Sequence, residues 1–178
     1  MTPLKREVAF ATPWFEVVAK TMQQDEPPYY SLRLADYATL LALTSEGRML
    51  VVRQYRPAVE RYTFELPSGV VDGGETPAQT APRELLEETG YRAGEVEMLG
   101  PMEPDLGRLS NSSWGLFAKD VRKVPGRVPE QGIEVFEWRL DEFYSGVRDG
   151  RFAHALHIAI VFQAILLGKI PYGSGISK

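Results

Sequence analysis

The stretch that decides the fold runs from Gly69 to Tyr91 and reads GVVDGGETPAQTAPRELLEETGY. Its glycine-rich first part predicts a loop, and a helix follows. Thr76 is a good N-cap, Pro77 suits the first helical position, and Gln79 completes a capping box. Gly90 is a natural left-handed residue after the last turn. The stretch therefore predicts a loop followed by a well-capped helix.

Carboxylates cover one side of this predicted helix. At about 100° per residue, Glu88 falls about 40° from Glu84 and Glu87 about 60° to the other side, so the three share one face. Arg83 precedes Glu87 by one helical turn and can orient it. Pro82 removes one backbone hydrogen bond and predicts a mild kink. The side that we expect to face the core carries Ala78, Pro82, Leu85, Leu86 and Thr89.

Three adjacent carboxylates repel one another, by roughly a few tenths of a kcal/mol per pair on an exposed helix. The face is therefore either a solvated acidic surface or a site for hard divalent cations. Oxygen ligands suit Mg²⁺, with Mn²⁺ as a possible substitute, and Mg²⁺ usually completes its shell with waters and substrate phosphates. Such ions can activate a water and neutralise a diphosphate.

The spacing across the whole stretch favours the metal site. All seven fixed letters fall at the spacing of the pattern G-x5-E-x7-R-E-U-x-E-E-x-G-U, and only the last bulky position departs, being aromatic Tyr91. The stretch thus resembles the Nudix box. The flanking runs at 51–57 and 64–69 resemble the branch that hydrolyses ADP-ribose and nucleotide sugars. A proline that this branch usually carries after the box is Gly107 here, so the fine substrate stays open.

The resemblance implies a fold and a set of metal ligands. The fold would be α/β, a Nudix-type α/β/α sandwich with a mixed β-sheet. The ligands would be the helix carboxylates of Glu84, Glu87 and Glu88. One backbone carbonyl of the loop, from Ser68 or Gly69, would add another ligand. Arg83 would hold a glutamate in place beside the catalytic Glu87. Glu75 would lie behind the metal ligands or stabilise the loop.

Other residues follow from the same resemblance. Arg56 and Arg53 would contact phosphate, since guanidinium groups bind it through paired hydrogen bonds. The substrate contacts would also include Glu65 and, in the loop after the box, Ser110. The catalytic base would be a late glutamate, either Glu130 in a loop or Glu134 on a strand, with Glu130 preferred.

The rest of the chain predicts strands interleaved with helices. Strands are expected at 10–22, 30–34, 37–43, 49–54, 62–66, 95–99, 114–121 and 133–139, with helices at 141–147 and 152–167. Residues 1–34 are rich in aromatic and β-branched residues. The resemblance implies that this segment mediates a homodimer, followed by a hydrolase domain at 35–178. The pair His154 and His157 is interpreted as packing, because two histidines alone make a poor metal site.

The composition and charge of the chain limit the kinds of site and binding partner that we expect. The chain has 178 residues and a net charge of −4. It has no cysteine, which excludes disulfides and zinc-thiolate sites. An acidic chain is not expected to bind nucleic acid. No membrane segment is expected, because the apolar run at 152–167 is short and interrupted. We expect a cytoplasmic protein.

The resemblance, together with the carboxylate face, implies Mg²⁺-dependent hydrolysis of the diphosphate in a nucleoside diphosphate linked to another group. ADP-ribose or a nucleotide sugar is the first candidate substrate. The products would be a nucleoside monophosphate and a sugar phosphate. One alternative is hydrolysis of another diphosphate, such as a dinucleotide or a nucleoside triphosphate. The other is a non-catalytic ligand-binding domain, which the intact set of carboxylates disfavours.

Overall fold

The computed structural model describes residues 2–172, so Met1 and the end of the expected 35–178 domain lie outside the described residues. The strands are β1 Lys5–Ala11, β2 Phe15–Thr21, β3 Tyr29–Leu34, β4 Tyr37–Thr44, β5 Met49–Arg56, β6 Arg61–Glu65, β7 Ser68–Val70, β8 Tyr91–Arg92, β9 Glu97–Met102, β10 Ser113–Lys123 and β11 Glu134–Trp138. The helices are α1 Pro77–Thr89, α2 Leu140–Arg148 and α3 Ala155–Leu166.

The central sheet is mixed, as the sequence predicts. Its strand order is β11-β5-β4-β10-β8, with β6 beside β5, β7 beside β4 and β9 beside β10. The β4–β10 pair is parallel, whereas the other pairs in this sheet are antiparallel. A parallel pair at the middle of a sheet is normally covered on both faces.

Two hydrophobic cores cover the two faces. Along β4 the side chains alternate, so Leu40 packs with Leu85 of α1 while Leu41 packs with Ile160 of α3. Aromatic side chains of α2 and β11, among them Trp138, complete the core that contains Leu41 and Ile160. The α/β/α sandwich is therefore confirmed. No helix within residues 2–172 is long and apolar enough to cross a membrane.

The N-terminal strands form a sheet of their own. β2 pairs with β1 on one side and with β3 on the other, both antiparallel. Leu32 of β3 joins this sheet to the 103–112 loop, because its amide donates to the Arg108 carbonyl at 2.7 Å and its carbonyl accepts from the Ser110 amide at 3.0 Å. The division of the chain at residue 34 stays a prediction.

Two of the predicted elements differ in kind, the short β8 was not predicted, and other bounds shift by up to three residues. The single strand expected at 10–22 is a hairpin, β1 and β2, because Thr12 closes a turn by accepting hydrogen bonds from the amides of Trp14 and Phe15. Pro13 in that run was the signal of a turn, since proline rarely occupies a strand interior. The glycine-rich loop expected at the start of the Gly69 to Tyr91 stretch begins instead with β7, which pairs with β4.

The box helix begins and ends as predicted, but its faces do not divide as expected. Both capping-box bonds of Thr76 are present, and Gly90 adopts a φ of 74°. The helix remains continuous through Pro82. Ala78 is exposed, contrary to the prediction, whereas Glu88 is 5% exposed and lies on the buried side. The row of carboxylates thus crosses from solvent into the protein.

Candidate active site

Arg83 connects the acidic residues of the loop and helix. Its Nε and Nη2 donate to the two oxygens of Glu75, at 3.1 and 3.0 Å. Its Nη1 donates to Glu84 at 2.8 Å and to Glu87 at 2.9 Å. Thr80 also donates to Glu75, at 2.8 Å. One guanidinium therefore fixes two adjacent carboxylates of the predicted metal site and ties them to the loop.

Gly69 lets strand β7 approach helix α1. A Cβ built at this position would overlap the carboxyl group of Glu84 far inside van der Waals contact. Gly69 pairs with Ala38 of β4, so the strand cannot easily move away from the helix. Any side chain at this first glycine of the box would therefore displace the Glu84 carboxylate.

Glu88 is the buried member of the acidic row. Its Oε2 accepts a hydrogen bond from the backbone amide of Ser68 at 3.0 Å. Burial raises the pKa of Glu88 to about 8, and the nearby charge of Glu84 adds to the rise. Burial also raises the pKa of Glu84. These carboxylates lie where their negative charge is costly without a cation beside them.

The donor set fits a hard divalent cation. Two half-buried or buried carboxylates, Glu84 and Glu88, adjoin the exposed Glu87, and their environments penalise the charged forms. Oxygen-only donors of this kind suit Mg²⁺ or Mn²⁺. The carbonyl oxygens of Ser68 and Gly69 stay predicted ligands.

The two late glutamates lie in different environments. Glu130 is anchored to the end of α1, because its amide donates to the Glu87 carbonyl at 3.1 Å. Its charge is close enough to contribute to the raised pKa of Glu84. Glu134 instead forms an ion pair with Arg53, with Nη1 and Oε1 2.7 Å apart. The geometry favours Glu130 as the residue that faces the acidic row.

The two predicted phosphate-binding arginines lie on opposite faces of β5. They are three residues apart on an extended strand, so their side chains point in opposite directions. Arg53 packs over the ring of Tyr62 at 4.4 Å and pairs with Glu134. Only Arg56 lies near the carboxylates, since its charge acts on Glu88. The structure does not bring Arg53 to this site.

Glu65 holds Arg56 in place. Glu65 Oε1 accepts from Arg56 Nε at 2.8 Å, and Glu65 Oε2 accepts from Arg56 Nη2 at 2.6 Å. The hydroxyl of Thr63 also donates to Glu65 Oε1. Burial works to raise the pKa of Glu65, but these hydrogen bonds outweigh burial and lower the pKa. Glu65 is 2% exposed. Its contacts are those of a positioning residue that orients Arg56, rather than those of a direct substrate contact.

Two cavities meet at Arg56. The Ser68 cavity has a volume of about 190 Å³, and the Arg61 cavity one of about 390 Å³. Both are lined by Tyr37, Arg56, Glu65 and His154. The smaller one lies below the 300–1,000 Å³ that is typical of sites for whole ligands of drug size, roughly. A substrate whose diphosphate lies at Arg56 can therefore extend from one cavity into the other.

The Ser68 cavity contains a polar residue that the sequence did not single out. Asn111 is 3% exposed, and its Oδ1 has no hydrogen-bond partner within residues 2–172. A buried amide without a partner is costly, so the cavity favours a ligand that bears hydroxyl or amide groups. The neighbouring Ser110, predicted to bind substrate, is exposed and donates its hydroxyl to the Leu32 carbonyl at 3.1 Å.

The histidine pair does not form a metal site. His154, His157 and Glu65 have ligand atoms within 4.8 Å of one another. However, the imidazole rings are stacked at 3.6 Å and 13°, so their in-plane lone pairs cannot converge on one ion. His157 Nδ1 also accepts from the Leu66 amide at 2.9 Å. The rings pack beneath the cleft, in agreement with the sequence interpretation.

Comparison with known proteins agrees with this geometry. The family model described as NUDIX domain matches residues 34–151. The chain is 50% identical over 54 residues to an ADP-ribose pyrophosphatase of Bacillus subtilis. These residues are 30% of this chain and 29% of that protein. It is 31% identical over 115 residues to the methanol dehydrogenase activator of Bacillus methanolicus, which is 63% of this chain and 62% of that protein.

The fold also matches a solved structure. The crystal structure of an ADP compounds hydrolase aligns with a TM-score of 0.77 and 20% identity, covering 95% of each chain. At that identity the match concerns the fold. The chain spans less than two thirds of the length of the two curated relatives named above.

Proposed function

The chain belongs to the Nudix family, and from that premise we propose that it hydrolyses the diphosphate of a nucleoside diphosphate linked to a sugar, with ADP-ribose as the first candidate. The observation that carries this proposal is the row of Glu84, Glu87 and Glu88, fixed by Arg83 and Ser68 beside a cleft that contains Arg56. The names of the relatives supply the class of substrate.

Each residue of the cleft has a separate proposed role in binding or hydrolysis. Arg56, held by Glu65, presents its remaining N–H groups to a diphosphate. The Asn111 amide finds its missing partner in a sugar hydroxyl. Glu130 accepts the proton of the attacking water. Mg²⁺ bound by the box carboxylates would lower the pKa of that water and neutralise charge on the phosphates. The products are a nucleoside monophosphate and a sugar phosphate.

Kinetics on two variants tests this division. Arg56 binds the diphosphate in the ground state and the transition state alike, so Arg56→Ala is expected to raise KM for ADP-ribose more than it lowers kcat. Loss of a base acts on the chemical step, so Glu130→Gln is expected to lower kcat by about 10²-fold or more. Steady-state rates with Mg²⁺ provide the measurement.

The control for the base is Glu134→Gln, which removes the second late glutamate together with its ion pair to Arg53. An unchanged kcat in Glu130→Gln with a reduced kcat in Glu134→Gln would reverse the assignment. A wild-type protein that hydrolyses no nucleoside diphosphate sugar would refute the proposed substrate class.

We also propose that the N-terminal sheet pairs two subunits. Every residue of β1 is exposed, and large apolar side chains lie on this sheet and its turns, including Phe10 at 56% and Trp14 at 81% exposed. Burying such a surface is the usual role of a two-fold interface. Sedimentation at micromolar concentration is expected to give a dimer mass, and Trp14→Ser to weaken the dimer. A monomeric wild type would refute the proposal.

A further inference from the structure

The Arg61 cavity is strongly basic in an otherwise acidic protein. Three arginines, Arg56, Arg61 and Arg151, line it together with one acid, Glu65. The whole chain has a net charge of −4. Since both oxygens of Glu65 bind Arg56, that acid does not compensate the other two arginines. The cavity therefore presents two guanidinium groups that its own lining leaves without a counter-charge.

The contacts of these two arginines leave them available. The Arg61 side chain forms no hydrogen bond or ion pair within the part of the chain that the structure describes. Arg151 uses its Nε for the exposed Asp149 at 2.8 Å. The Nη groups of Arg151 have no hydrogen bond to residues 2–172. Guanidinium groups with free N–H donors match the oxygens of a phosphate group.

The strand pairing places two of the arginines side by side at some cost. Arg56 and Arg61 are register partners in the β5–β6 pair, so their side chains leave the same face. Like charges directly opposite each other destabilise a sheet. The turn that sets this register contains Glu60 in the left-handed region, with a φ of 53°, which is unfavourable for a residue other than glycine. Nothing in the fold of the hairpin requires an arginine at position 61.

We propose that the Arg61 cavity binds a phosphate monoester carried by the substrate, on the part that lies beyond the hydrolysed diphosphate. This inference rests on the proposed function, because Arg56 lines both cavities and places a bound diphosphate at their junction. A phosphate monoester carries nearly two negative charges at neutral pH. This charge matches the Arg61 guanidinium, which has no side-chain partner within residues 2–172, together with the free Nη groups of Arg151, whose Nε pairs with Asp149. The preferred substrates are thus nucleoside diphosphate sugars with an additional phosphate.

Calorimetric binding in the presence of chelator tests the proposal without turnover. Two ligands are compared, ADP-ribose and ADP-ribose 2′-phosphate. The wild type is expected to bind the phosphorylated ligand about tenfold more tightly, which is a typical effect of one added charge-assisted contact. Arg61→Ala is expected to lose this preference and to keep its Kd for ADP-ribose. Arg122→Ala, an exposed arginine at a different cavity, is the matched control and should keep the preference.

Equal Kd values for the two ligands in the wild type would overturn the proposal, as would an equal weakening of both ligands by Arg61→Ala. Inorganic phosphate that binds the wild type but not Arg61→Ala, while the 2′-phosphate gains no affinity, would identify a site for free phosphate and also overturn it. If Mg²⁺ then supports hydrolysis of neither ligand although the preference is present, the proposed function fails and the binding site stands.

Discussion

The Glu88→Gln variant is expected to keep its fold and to lose hydrolytic activity by about 10³-fold, corresponding to several kcal/mol of lost stabilisation at the proposed metal site. Glutamine has nearly the same shape as glutamate and can still accept the Ser68 amide through its carbonyl oxygen. Burial already raises the pKa of Glu88 to about 8, so a neutral side chain suits this position without metal. Cation binding, in contrast, needs the charge.

The measurement combines steady-state rates with a thermal unfolding curve. The wild-type rate should disappear with chelator and return with Mg²⁺, while the Tm of Glu88→Gln should equal or exceed that of the wild type. Glu46→Gln, in an exposed turn, is the matched control and should leave the rate unchanged. A Glu88→Gln variant with a near-normal rate would remove this residue from the site.

The Gly69→Ala variant is expected to lose about 10²-fold or more in kcat/KM, because its methyl group would occupy the position of the Glu84 carboxyl group. A displacement of about 1 Å in a reacting group costs this much. The Glu84 side chain is flexible and can move aside, so the change should affect the site more than the stability. Rates and Tm measured on the same preparation separate these two effects.

Gly73→Ala is the matched control in the same loop. A Cβ at Gly73 meets no atom within 4 Å, and its backbone does not adopt a positive φ. This variant is expected to retain wild-type activity. If Gly69→Ala were equally active, the close approach between β7 and Glu84 would have no part in the chemistry.

The sequence by itself determined the segment from Gly69 to Gly90. Its caps, its helix and its three carboxylates depend on contacts within one turn or two, so residue spacing was enough to predict them. The sandwich followed from the alternation of strands and helices. The expected division of the helix into one acidic face and one apolar face was nevertheless only partly correct, since the packing of α1 against β4 and β7 buries Glu88.

Only the tertiary structure decided which of the other charged residues share the site. Arg53 and Glu134 are 81 positions apart and pair because β5 and β11 are neighbours in one particular register. A shift of that register by one residue would turn each side chain to the other face. The register depends on which face of both strands is buried, and burial is decided by the whole sheet. Arg61 lies opposite Arg56 for a more local reason, because the turn at residues 57–60 joins β5 to β6 in that register. The sequence was therefore enough to predict the segment that we propose as catalytic, while the register of the sheet determines the cleft around it.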